Sequence, residues 1–75
     1  MGTPVPVISG RRAARAFERL GWTLLRQRGS HMVFGKSDVA ANLAIPDHKE
    51  LARGTLRALI RTAGITVEEF VGALQ

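Results

Sequence analysis

Seventy-five residues suffice for one small domain and leave no room for a second, because domains rarely fall below about 50 residues. Apolar residues make up 45% and charged residues 23%, ordinary globular usage that argues against wholesale disorder, and the absence of cysteine excludes disulfides and thiolate metal sites. Eleven Lys and Arg against six Asp and Glu leave a net charge of +5, which suits a polyanionic partner such as nucleic acid or an acidic protein surface.

No stretch approaches the roughly 20 apolar residues that span a bilayer, and the segment Met1 to Ile8 lacks the basic start of a secretory signal. A cytoplasmic protein without membrane contact is expected. Residues 1–8, with Pro4 and Pro6, read as an extended apolar arm, either poorly ordered or lying across a single domain formed by 9–75. Ser9 is a good N-cap for a helix over about 10–20. Ala13, Phe17 and Leu20 share one face of it, and Arg11, Arg15, Glu18 and Arg19 occupy the other. Gly21 stands where a helix usually stops.

Residues 22–28 have strand length, and Gly29-Ser30 is a two-residue hairpin signal with glycine first. His31 to Phe34 forms the return strand, 36–40 a looser turn, and Asn42 to Ile45 a third strand ended by Pro46. A polar connection over 47–51 leads to a helix over about 54–63, with Leu56, Leu59, Ile60 and Ala63 on one face and Gly64 closing it. Thr66 and Glu69 form a capping box for a short last helix striped by Val67, Phe70, Val71 and Leu74. The class is α+β, in the order α-β-β-β-α-α, with a three-stranded antiparallel sheet and the helices on one face.

With Gly29 and Ser30 at the centre of the turn, Arg28 lies opposite His31, Gln27 opposite Met32, Arg26 opposite Val33 and Leu25 opposite Phe34. Alternation then collects Leu25, Met32 and Phe34 under the helices, and Arg26, Arg28, His31 and Val33 on the open face. Trp22 and Leu24 share the open-face parity, which calls for either a bulge or cover from residues 4–8.

An exposed histidine between arginines has chemical meaning. Imidazole titrates near pH 6.5, and guanidiniums hold a phosphodiester and offset the charge that grows on it during transfer. RNA brings its own nucleophile, the 2′-OH, so such a site needs no metal. The plain alternative is that His31 is a polar residue at a strand start. His48, after Pro46-Asp47, reads as a surface residue or a hydrogen-bonding group at the helix entry. The spacing of His31, Asp47 and His48 supports no metal site, and Gly29 and Gly54 are isolated, so no phosphate-cradling loop for a nucleotide cofactor exists. Arg53, Arg57 and Arg61 recur every fourth residue and make a basic stripe, either a solvated face or a phosphate track.

Gly21-Trp22, Arg26-Gln-Arg-Gly-Ser-His31, Pro46-Asp-His-Lys-Glu-Leu51, Gly54-Thr-Leu-Arg57 and Ala63-Gly-Ile65 together resemble the HicA-type toxins, also called YcfA-like proteins. These are the toxin halves of HicA/HicB toxin–antitoxin modules. The resemblance covers about residues 9–72 and implies a double-stranded-RNA-binding-domain-like fold. It also implies a metal-independent endoribonuclease that cleaves mRNA and is neutralised by a HicB-type antitoxin. The catalytic histidine of the Gly-Ser-His motif is carried over to His31, with Gly29 and Ser30 as the turn that presents it. Arg26, Arg28, Ser30, Arg53, Arg57 and Arg61 are then the candidate RNA-binding residues. Many relatives have a second histidine where Met32 stands, and a basic turn where this chain has Asp38-Val-Ala-Ala-Asn42. One histidine leaves the second proton transfer to water or another group. The alternative reading is a non-catalytic module of the same fold that binds RNA or an antitoxin.

Overall fold

In the computed structural model, which describes residues 3–75, Ser9 caps α1 (Gly10–Arg19) by accepting a hydrogen bond from the Arg12 amide at 3.1 Å. That bond satisfies one of the donors a helix start leaves open. The buried side is Ala13, Ala14, Ala16 and Phe17, with Leu20 only partly covered at the C-cap. Gly21 follows with φ 100°, and the amides of Gly21 and Trp22 donate back to the carbonyls of Glu18 and Phe17, both at 3.0 Å. This is a Schellman ending, whose usual apolar contact is made here by Trp22 edge-on to Phe17, with centroids 6.5 Å apart. Trp22 is therefore buried as part of the helix end, outside the alternation of the strand that begins after it.

The sheet runs in the order β1 (Thr23–Arg28), β2 (His31–Lys36), β3 (Val39–Pro46), antiparallel throughout. The pairs Arg28 with His31, Gln27 with Met32 and Arg26 with Val33 form as expected. The fourth does not: Leu24, not Leu25, lies opposite Phe34. Leu25 is the extra residue of a β-bulge, which turns it out of the core face to lie over Gly35 on the open side, half-exposed. Leu24 faces the core side but also stays half-exposed, since β1 is exposed along its whole length. The second turn is tighter than the sequence suggested. Lys36 pairs with Val39 around Ser37-Asp38, so β3 begins three residues before Asn42.

Met32, Phe34, Leu43 and Ile45 form the buried face of the sheet, and α1 and α2 (Arg53–Ala63) both pack against β3. Leu56, Leu59, Ile60 and Ala63 are the buried side of α2. The Thr66–Glu69 capping box opens α3 (Val67–Ala73), and Phe70 packs against Phe17 with ring centroids 5.0 Å apart and the rings tilted by 47°. Arg19 secures α3 by donating to the carbonyls of Ala73, at 2.9 Å, and Gln75. Thr3 to Ile8 lies extended across this assembly. Val5 and Ile8 are buried, the Thr3 hydroxyl donates to Glu68 at 2.7 Å, and the Ile8 carbonyl accepts from the Leu51 amide at 2.8 Å. No helix among the described residues is long and apolar enough to cross a membrane.

Candidate nucleic-acid interface

The Gly29-Ser30 turn places the imidazole. Gly29 has φ 56°, and no non-glycine residue among those described has a positive φ, so only the first turn position is left-handed. That is the type II′ pattern, whose twist matches a hairpin and keeps the register in step beyond the turn. The open face then carries two rungs: Arg28, His31 and Pro46 across one, and Arg26, Val33 and Ala44 across the next. His31, Arg26 and Arg28 are all exposed, and Val33 and Pro46 are half-buried between them. The ion pairs among the described residues are Arg11 with Asp47 and Lys36 with Asp38, so neither guanidinium beside His31 is engaged by a carboxylate. Two guanidiniums without a carboxylate partner among the described residues, beside an exposed imidazole, are the chemistry that suits a phosphodiester.

Ser30 contributes through its backbone. Its carbonyl accepts from the Asp47 amide at 2.6 Å, tying the turn to the segment that leaves β3. Arg53, Arg57 and Arg61 are exposed on α2, whose apolar side packs against β3 from the core face. The structure therefore gathers Arg26, Arg28, Ser30 and His31 at one end of the sheet and leaves the helical stripe on the other layer. His48 is exposed, and its carbonyl accepts from the Gly10 amide at 2.8 Å.

Met32 belongs to the core, 7% exposed and facing away from His31. The departure at that position is thus a change beneath the sheet, not on the face that carries the imidazole. The uncharged residues Ala40, Ala41 and Asn42 are exposed on β3, away from the Gly29-Ser30 turn. Two surface depressions lie away from His31. One runs between β3 and α2, lined by Leu43, Ala44, Thr55 and Ala58 among others, and one surrounds Leu25, Gly35 and Lys36. His31 stands on an open surface, which suits a polymer laid across it.

Sequence reasoning missed Gly10, Arg11 and Asp47. A Cβ on Gly10 would fall 1.8 Å from the Pro46 carbonyl oxygen, so only glycine lets α1 start against the end of β3. Arg11 grips the Asp47 carboxylate with two parallel bonds, Nε to Oδ1 and Nη2 to Oδ2, each 3.1 Å. The one local signal is a glycine in the first helical turn, where a better helix former costs less.

A family model described as HicA toxin of bacterial toxin–antitoxin matches residues 10–65, from the first residue of α1 to just past α2. The arm and α3 lie outside the matched segment. Comparison with curated proteins returns no match.

Proposed function

Because the chain belongs to the HicA toxin family, and is thus the toxin of a toxin–antitoxin pair, we propose that it is an endoribonuclease that cleaves mRNA through His31. The observation that carries this reading is the exposed imidazole of His31 in one rung with Arg28 and beside Arg26, neither of them paired with an acid. The substrate supplies the 2′-OH. As its oxygen bonds to phosphorus, its proton leaves to a base and the bond to the 5′-oxygen breaks, with that oxygen taking up a proton. His31 serves one of these transfers, and water or a second group serves the other. Arg26 and Arg28 hold the non-bridging oxygens and offset the charge that builds on them. No step in this scheme requires a metal ion. The partner is a HicB-type antitoxin, and the site of action is cytoplasmic mRNA.

Expression of the wild type beside His31→Ala, with and without a co-expressed antitoxin, tests the reading. Growth arrest and RNA degradation are expected with the wild type alone. The antitoxin or the substitution should each prevent both. Arrest by both forms would remove His31 from the mechanism, and arrest by neither would favour a module that binds RNA or antitoxin without cutting.

A further inference from the structure

We propose that Arg11 and Asp47 form a clamp that positions the turn carrying His31, an inference that rests on the reading of His31 as the proton-transfer group. The hairpin tip is held by the strand ladder on either side, by Gln27 Nε2 donating to the Gly29 carbonyl at 3.3 Å, and by a contact from the segment after β3. Residues 23–31 are all exposed, so no apolar packing fixes the turn from the β1 side. Where the β2–β3 ladder ends at His31 and Pro46, the bond from the Asp47 amide to the Ser30 carbonyl carries the attachment one residue further into the turn. Pro46, the residue before Asp47, is the β3 partner of His31 itself. Whatever orients Pro46-Asp47 therefore orients the backbone on both sides of the imidazole.

Two features of α1 do this. Gly10 seats the helix start directly against the Pro46 carbonyl, and its amide is bonded to the His48 carbonyl at 2.8 Å. Arg11 then fixes the Asp47 side chain in a fork-to-fork pair, with both carboxylate oxygens engaged. The Asp47 carboxyl is largely covered, at 22% exposure, while the Arg11 side chain is 73% exposed. An exposed pair of this kind adds little to global stability. Its geometry, though, holds a backbone amide in line with the turn, and small misplacements of a reacting group cost rate steeply. Both oxygens of Asp47 are held by Arg11, which gives it the part of a positioning residue.

The test uses the full chain with Asp47→Asn, Arg11→Met and the exchanged pair Arg11→Asp with Asp47→Arg. Removing the Asp47 charge can only ease the approach of a phosphate, so a slower Asp47→Asn enzyme is not explained by repulsion. Each single variant should lower kcat on a single-stranded RNA about tenfold or more, with KM changed less than about twofold and Tm by only a few degrees. The exchanged pair should recover most of kcat. Without any substrate, hydrogen exchange at the residue-47 amide should quicken about tenfold in both single variants. Unchanged kcat in both single variants, with His31→Ala inactive, overturns the clamp alone. A higher KM with unchanged kcat and a shallower salt dependence for Arg11→Met would make Arg11 a phosphate contact instead. RNA left intact by the wild type, or cut undiminished by His31→Ala, overturns the functional reading and the clamp's purpose with it.

Discussion

The two hairpins of this sheet use their charges in opposite ways. At the β1–β2 turn, Arg26, Arg28 and His31 are exposed with no carboxylate on them, and the register runs without a break to Arg26. At the β2–β3 turn, Lys36 is spent on Asp38 at 2.7 Å, the exposed residues that follow are uncharged, and the register shifts between Phe34 and Lys36. The irregularities of β1 and β3 both fall beside Gly35 of β2: Leu25 is the extra residue on β1 and lies over that glycine, and β3 sets Ala40, Ala41 and Asn42 against it between the paired Val39 and Leu43. One end of the sheet is a regular lattice that displays charge. The other is irregular and neutralises it.

Reversing charge at the displaying end should have the largest effect. Arg26→Glu with Arg28→Glu removes two charge-assisted contacts of about 1.5 kcal/mol or more each. RNA affinity should fall by roughly a hundredfold. The slope of log affinity against log salt should flatten by about 1.4, as two single-strand phosphate contacts are lost. Lys36→Glu, at the other end, should leave that slope unchanged in the same titration.

The turns themselves should differ next. Gly29→Ala forces a side chain into the left-handed region and should cost about 1–2 kcal/mol in denaturant unfolding. Ser37→Ala, at a turn with no positive φ, should stay within about 0.5 kcal/mol. Equal costs would mean that the first turn is not the stricter of the two.

The smallest effect concerns acid. The hydrogen bond and charge of Lys36 hold the Asp38 carboxyl below its ordinary value, and the Thr3 hydroxyl does the same for Glu68. A carboxyl lowered in the folded state lends stability that is present above its unfolded value, about 3.9 for Asp and about 4.3 for Glu. That stability is lost as pH falls through the depressed value. A carbon-detected NMR titration should place the Asp38 midpoint below about 3.9, and Lys36→Met should raise it toward that value. A midpoint unmoved by Lys36→Met would contradict the pairing.

What the sequence revealed, and what it hid, follows the range of the forces involved. Ser9, the Thr66–Glu69 box and the Gly29-Ser30 turn act over three or four residues, and each forms as its local chemistry requires. The rungs nearest the turn were legible for the same reason, and with them the shared face of Arg26, Arg28 and His31. Leu25 was misplaced because the bulge depends on Gly35 ten residues away, and Trp22 because it completes a helix end instead of starting a strand. The pairing of Arg11 with Asp47, and the separation of the α2 arginines from the sheet's open face, come from how the layers stack. No periodicity along the chain records that.

The proposed role of the His31 imidazole is to move a proton during RNA cleavage. The direct measurement is the initial rate at which purified wild type and His31→Ala cut a single-stranded RNA in the presence of EDTA, with circular dichroism showing both folded. A loss of about a hundredfold to ten-thousandfold in the variant is predicted, the usual worth of a positioned acid or base. Equal rates, or cleavage that vanishes with EDTA for both proteins, would contradict the account.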